Sequence, residues 1–296
     1  IYKNLMKNHL IRLLFLLLFV TQGLVAEEKT EASQEETVAA EEEKETYIKD
    51  LVEDYEESLG FFVTYRDPES NQIFLKISKD QLKKEFIYFA HVINGVASTG
   101  KVKGSYTDEG IFKIEKDFNK LRFSRVLTNY YFDDDNPLSK SKGANISDST
   151  FQVVDILAEN EEENEYLIEI TDLLLSETLT PILPIYSPEG PPPGFMWGQL
   201  SPVKSRVTGI FNYEENTDFE VEYVIESAPS YEYESEDVAD PRNVNINLRY
   251  SFIEMPKNDF EPRLANQSIG YFSERVTDLT SKDVTPYKDL IGKWNL

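Results

Sequence analysis

Hydrophobic residues along most of this chain recur at every second position, the spacing of a strand with one buried face. Phe219, Val221, Tyr223 and Ile225 alternate with Glu220, Glu222 and Val224. Val244, Ile246, Leu248 and Tyr250 alternate in the same way with Asn245, Asn247 and Arg249. Earlier in the chain a strand is predicted over Phe61 to Tyr65, then a polar turn at Asp67-Pro68, then a strand through Ile73, Leu75 and Ile77. Glu85 to Val96 is a longer apolar and aromatic run containing Phe86, Tyr88, Ala90 and Val92. Two hairpins follow. Ile111 to Glu115 faces Leu121 to Thr128 across a turn at Asp117 to Asn119. Phe151 to Ile156 faces Tyr166 to Ile170 across the acidic loop Glu159 to Asn164. One wet face and one buried face is the pattern of antiparallel sheet. The expected fold class is therefore mainly β, with α+β as its variant.

Helical spacing is confined to one short stretch. Tyr47, Ile48, Leu51, Val52 and Tyr55 fall at i, i+1, i+4, i+5 and i+8, and Gly60 is the expected stop. Beyond it, only Ser78 to Lys84 and Asp172 to Glu177 carry brief helical pieces. The strongest breaker is Ser187 to Gly194, with four prolines and two glycines in eight residues, which excludes strand or helix interior. Because the segments on either side look alike, it reads as a loop within one β-rich domain.

Upstream of the first helix the texture is different. Lys7, His9 and Arg12 form a basic region before the apolar run Leu13 to Val20, and Thr21-Gln22-Gly23 then breaks it ahead of Leu24-Val25-Ala26. Residues 1–26 are read as a signal peptide cleaved after Ala26, with Met6 as the true start. As a membrane span, Leu10 to Ala26 is short and contains Arg12 and Gln22. Residues 27–46 are read as a disordered acidic linker, since a Glu/Ala/Thr-rich stretch buries too little surface to offset its ordering entropy. The β-rich domain then spans 47–296. An exported protein is expected, periplasmic, outer-membrane-associated or extracellular.

Charge sharpens this picture. The chain of 296 residues carries a formal net charge of −24, which excludes a nucleic-acid partner, because phosphate binding needs a basic face. It equally disfavours an anionic membrane surface after signal cleavage. The excess is uneven: Glu27 to Ser58 holds 14 acidic and 3 basic residues. Hydrophobic residues at 40%, with 17 Tyr and 18 Phe, suffice for a sizeable core. There is no cysteine, so disulfides, thiolate metal sites and thiol nucleophiles are excluded.

Candidate chemistry is thin. His9 lies in the signal, leaving His91 in an apolar strand, where a hydrogen-bonded sheet histidine is expected. One histidine cannot build H-E-x-x-H or a facial triad. No G-x-S-x-G elbow is present. Asp133-Asp134-Asp135-Asn136 is dense in hard oxygen ligands but lacks the Gly and distal Glu of a Ca²⁺ loop. Gly95 to Gly104 has three glycines without a phosphate-loop ending. With 54 Asp and Glu, any carboxylate pair chosen for acid–base work would be arbitrary. No catalytic, cofactor-binding or metal residue is assigned.

Two stretches carry a resemblance. The first is Gly60-Phe61-Phe62-Val63-Thr64-Tyr65-Arg66-Asp67, with Phe74-Leu75-Lys76-Ile77 and Phe86-Ile87-Tyr88 after it. The second is Arg249-Tyr250-Ser251-Phe252-Ile253-Glu254-Met255-Pro256, then Glu261-Pro262-Arg263 and Ile269-Gly270-Tyr271-Phe272. Over roughly Gly60 to Leu296 the chain resembles the N-terminal domain of unknown function found upstream of the metzincin-like catalytic domain in secreted bacterial zinc-dependent metalloproteases. The resemblance implies that zinc and an extended H-E-x-x-H-x-x-G-x-x-H motif belong to a full-length parent. None of those residues is in this chain, and its ends at Ile1 and Leu296 are read as those of an incomplete reading frame. The expected function is thus a non-catalytic region that supports or docks the downstream catalytic domain, with peptide or protein substrate as a further partner. The alternative is a self-contained exported module that binds peptide or glycan through aromatics such as Trp197, Tyr231 and Tyr233.

Overall fold

Alternating burial dictates the architecture. On the longest regular strands every second side chain is apolar and turned inward, so the sheet must cover that face or leave it wet. The computed structural model describes residues 47–160, 162–183, 198–227, 236–257, 263–266, 268 and 270–292. The leader and linker expected over 1–46 lie outside them, as do the Pro-rich run 187–194 and Trp197, Tyr231 and Tyr233.

In chain order the elements begin with a one-turn helix α1 (Ile48–Leu51) and strands β1 (Glu56–Ser58), β2 (Val63–Arg66), β3 (Ile73–Ser78) and β4 (Glu85–Asn94). Next come β5 (Tyr106–Asp117), β6 (Lys120–Arg125), β7 (Tyr130–Tyr131), β8 (Ser149–Asn160) and β9 (Glu165–Glu169). A second single turn, α2 (Thr171–Leu174), precedes β10 (Gln199–Leu200), β11 (Arg206–Asn212), β12 (Asn216–Glu226) and β13 (Asn243–Glu254). The last strands are β14 (Ser273–Asp278) and β15 (Tyr287–Ile291).

Twelve strands form one sheet in the order β1-β2-β3-β9-β8-β6-β5-β4-β13-β12-β10, with β11 also paired to β12, and every ladder is antiparallel. The mainly β, antiparallel fold read from the alternation is the one observed. Both predicted hairpins are present, as β5–β6 and β8–β9. Strands from both sides of the Pro-rich run meet in this one sheet, where β13 pairs with β4 in register Tyr250 to Ala90.

The sheet curls, and bulges at Val207/Gly209, Ala90/His91, Phe123/Ser124, Ile156/Ala158 and Asn247/Leu248 are where it bends. The curl brings β1 beside β11. Among the described residues no regular ladder closes that gap; side chains and a backbone hydrogen bond do. Asn212 Nδ2 donates to the Ser58 carbonyl at 2.9 Å and to Thr64 Oγ1 at 3.1 Å. Thr217 Oγ1 donates to Asn212 Oδ1 and accepts from the Phe62 amide at 3.0 Å. The Phe61 amide donates to the Tyr213 carbonyl at 2.7 Å, and Arg66 Nη2 donates to the Val207 carbonyl at 3.2 Å. Gly60 sits in this seam, where a Cβ would stand 2.6 Å from Asn212 Cβ and 2.8 Å from the Tyr213 carbonyl oxygen. It is a close-approach glycine, not the helix stop that the spacing predicted. The helix ends at Leu51 because only Ile48 and Val52 bury. Past them Tyr55 stacks on Phe74 at 5.1 Å, and Glu56–Ser58 is taken into the sheet as β1.

Inside the curl lies one aromatic core. Phe252 meets Phe112 at 5.2 Å, Phe219 at 5.5 Å, Tyr88 at 6.3 Å and Phe62 at 6.4 Å between ring centroids. An eight-stranded barrel fills itself with side chains, and a wider one leaves room. Here the room is taken by residues 171–183, of which Leu173, Leu174, Leu179 and Ile182 belong to the same core. A smaller cluster on the outer face, where α1 packs with Tyr65, Phe74, Ala158 and Leu167, explains why β3 and β9 bury consecutive residues.

β15, β14 and β7 make a separate three-stranded sheet, with β7 parallel to β14. None of its residues belongs to the main core.

Candidate functional site

Three tyrosines from neighbouring strands point their hydroxyls at the inner segment. Tyr223 of β12 donates to the Leu174 carbonyl at 2.5 Å, and Tyr88 of β4 donates to the Leu179 carbonyl at 2.8 Å. Tyr250 of β13 lies 2.7 Å from the Tyr223 oxygen. Since Tyr223 has one proton and gives it to Leu174, Tyr250 is the donor of that pair. Burial pushes all three phenols up, with the Asp108 charge adding at Tyr88 and the facing Tyr223 adding at Tyr250. They stay protonated and act as clamps on backbone carbonyls that would otherwise be buried unpaired. Glu177 completes the clamp from within the segment: its Oε1 accepts from the Ile182 and Leu183 amides at 2.8 and 2.7 Å.

Between this segment and strands β5, β6 and β8 lies a pocket of about 240 Å³. Its apolar wall is Phe112, Phe123, Phe151 and Phe252, with Leu173 and Leu179 from the inner segment. At its rim stands Arg125, the last residue of β6, and its position follows from the sheet. Arg125 pairs with Phe112 across the ladder and leans over Gly110, where a Cβ would be 3.2 Å from Arg125 Nε. Its guanidinium lies 5.7 Å from the centre of the Tyr88 ring, and Nη2 donates to Asp108 Oδ2 at 2.6 Å. The arrangement is an apolar recess with one charged pair at its lip. Nothing in the alternation marks Asp108, Gly110 and Arg125 as a group, because register and a bulge bring them together.

The residues singled out from sequence are scattered. His91 is on β4, in register with Arg249 and with Tyr106. The hydrogen-bonded histidine expected there is not what is found: Nδ1 is buried without a partner. Burial first, and then the Arg249 charge, lower its pKa and favour the neutral ring. A cation bound at His91 would face that guanidinium. Among the described residues, no three His, Cys, Asp or Glu side chains converge as metal ligands. The Asp133 to Asn136 run is a turn. Asp133 Oδ1 accepts from the Asp135 amide at 3.1 Å, and Asn136 Oδ1 caps the following 3-10 turn through the Leu138 amide at 3.0 Å. In the Gly95 to Gly104 loop, burial lowers the pKa of Lys101, which the Glu177 charge partly offsets.

The three-stranded sheet presents the other distinctive surface. Its internal anchor is polar: Lys288 Nζ lies 2.5 Å from the buried Asp278, whose Oδ1 also accepts from the Thr280 amide at 2.9 Å. Burial raises the Asp278 pKa, and the Lys288 and Thr280 bonds outweigh it and bring the value down. Large apolar side chains around it are exposed instead, with Phe272 95% and Val284 100% exposed and Leu264, Tyr271 and Tyr287 more than half exposed; of these only Tyr287 lies on one of its strands.

Fold and site together define a curled antiparallel β protein with an aromatic core, an inner segment clamped by tyrosines and a separate three-stranded sheet with exposed apolar residues beside it. The chain belongs to the family described as a domain of unknown function (DUF5117), whose model matches residues 104–296. No curated protein and no solved structure matches it. The matched region begins just before β5, so β1 to β4 precede it. Yet β4 is hydrogen-bonded between β5 and β13, in the middle of the matched strands.

Proposed function

We propose that this chain is a non-catalytic region of an exported zinc-dependent metallopeptidase, and that it supports or docks the catalytic domain of its parent. The observation that supports the reading is the set of large apolar side chains exposed in and beside the three-stranded sheet: Tyr287 on β15, Tyr271 and Phe272 just ahead of β14, and Val284 in the connection between the two strands, while none of that sheet belongs to the main core. Exposed clusters of large apolar side chains on an ordered sheet are typical of surfaces that meet another protein. Arg263 over the Tyr271 ring and Arg275 over the Tyr287 ring place cations among those aromatics, a composition common at interface centres. The resemblance of the Tyr250 to Phe272 stretch to the region upstream of metzincin-like domains supplies the identity of the partner, and zinc belongs to that partner. A leader over 1–26 would deliver the protein to the periplasm, the outer membrane or the exterior.

The test has two arms. Purified chain is expected to bind no stoichiometric zinc and to leave casein intact; chelator-sensitive proteolysis by the chain itself would sink the reading. Reading the gene beyond residue 296 is expected to show H-E-x-x-H within a few hundred codons. An immediate stop codon would instead favour the self-contained binding module.

A further inference from the structure

We infer that the pocket beside the inner segment is a binding site for a peptide, taking one aromatic or large aliphatic side chain into the recess and its amide at the Arg125–Asp108 pair. This stands apart from the metallopeptidase reading, since it needs only the curled sheet and its inner segment.

Size comes first. At about 240 Å³ the recess lies just under the usual ~300–1,000 Å³ range of small-molecule sites. That is room enough for one large side chain. Wall chemistry comes second. Phe112, Phe123 and Phe252 are packed into the core at 3% exposure or less and back the recess, and the partly buried Phe151 adds to an apolar wall suited to an aromatic or aliphatic guest.

The lip then selects the head group. Arg125 donates one N–H to Asp108 and carries five, so donors remain for a carbonyl oxygen. Asp108 accepts from Arg125 through Oδ2 and from the Glu109 amide through Oδ1. Each of its oxygens keeps a lone pair for an N–H. A donor and an acceptor side by side match a peptide amide, which presents one of each. A free carboxylate is less suited, because Asp108 already neutralises Arg125 and Glu177 lines the same recess. Leu173, Thr178 and Leu179 line the recess from the inner segment, so an occupant would also brace that segment against the sheet.

The experiment is a chemical-shift titration of the whole chain with N-acetyl-phenylalanine amide, N-acetyl-glycine amide and phenylacetate. The expected result is saturable millimolar binding of the phenylalanine amide, at least tenfold weaker binding of the glycine amide, and phenylacetate no tighter than the phenylalanine amide. Arg125→Gln is expected to weaken the phenylalanine amide about tenfold, and Ser149→Trp, which sets an indole at the pocket wall, to abolish its binding. Both variants are checked for an unchanged melting transition, and Arg206→Gln, on a different strand, is the surface control. Equal affinity for the phenylalanine and glycine amides would overturn the side-chain recess. Phenylacetate binding tenfold more tightly would overturn the amide assignment in favour of an anion site. Folded Arg125→Gln and Ser149→Trp proteins that bind like the parent would remove the pocket altogether.

Discussion

The twelve-stranded sheet and the three-stranded sheet are built by opposite means. The large sheet turns its apolar residues inward and adds residues 171–183 to finish the packing, so that Phe219, Tyr223, Leu248, Tyr250 and Phe252 are at most 2% exposed. The small sheet adds to its backbone ladders a polar anchor, Lys288–Asp278 with Thr280, and Phe272 and Val284 beside it stand in solvent. Burial of a large apolar side chain is worth about 1.5–3 kcal/mol, whereas a net hydrogen bond gives roughly 0.5–1.5 kcal/mol. One region therefore satisfies itself. The other has contacts still to make.

The sharpest break in that comparison comes from cutting the chain. A protein limited to residues 104–296, the part the family model covers, would lack β4 and with it both ladders to β5 and β13. It would also lose Phe86, Tyr88, Ala90 and Val92 from the core. The deficit exceeds the ~5–15 kcal/mol that keeps a domain folded. Residues 47–296 are expected to unfold cooperatively in urea and 104–296 to show no transition. A cooperative 104–296 would show that β4 is dispensable.

Within the intact chain, Phe252→Ala removes the ring that meets Phe62, Tyr88, Phe112 and Phe219. An expected loss of about 3–5 kcal/mol should appear as a lower urea midpoint at unchanged slope. A loss below about 1 kcal/mol would mean that the core repacks freely, unlike a native interior.

How much of this was legible depended on whether a feature is local. Val244 to Tyr250 and Phe219 to Ile225 alternate cleanly because β13 and β12 each have one covered face, and their periodicity alone placed them. β3 and β9 were harder to read for face, since α1 covers their outer side and consecutive residues bury. Gly60 was taken for a helix stop because nothing local says that Asn212, far along the chain, will approach it. The Asp108–Arg125 pair and the Tyr88, Tyr223 and Tyr250 clamp are products of register between strands distant in sequence, which no spacing rule encodes. His91 is in the strand its apolar run predicts, yet the lowering of its pKa by Arg249 comes from register with a strand far along the chain.

The seam offers a finer break. At Gly60→Ala the new Cβ meets Asn212 Cβ and a backbone oxygen, neither of which is the end of a flexible side chain. Overpacking of this kind costs about 1–3 kcal/mol. Faster hydrogen exchange is expected at β1 and β11 while β13 stays protected; a uniform change would mean that the seam is not a separate unit of stability.

Acid acts in two windows, and the lower one draws on carboxylates of both regions, Asp148 and Asp240 beside the large sheet as well as Asp278 and Asp289 of the small one. The His91 pKa is lowered in the folded protein, so the unfolded chain binds more protons and stability falls as pH drops through 6.5 and below. The Asp278 pKa is lowered too, so its contribution is present above 3.8 and is lost as pH falls below it. Stability measured from pH 8 to 3 should therefore decline in two steps. His91→Gln should flatten the upper one and leave the lower, and an unaltered upper step would dismiss His91 as its source.

The smallest expected effect on stability is the most informative about docking. Phe272 is 95% exposed, so Phe272→Asp should change the unfolding free energy by no more than about 0.5 kcal/mol, as surface substitutions do. The neighbouring Arg275–Asp289 pair, at 2.7 Å and well exposed, is a matched control, since exposed pairs contribute only about 0.2–1 kcal/mol. If the face meets a catalytic domain in the parent protein, the same substitution there should raise protease sensitivity or exchange across 271–292 while the isolated chain melts unchanged. Destabilisation of the isolated chain by more than about 1 kcal/mol would place Phe272 in this chain's own packing and leave the face with no partner to explain.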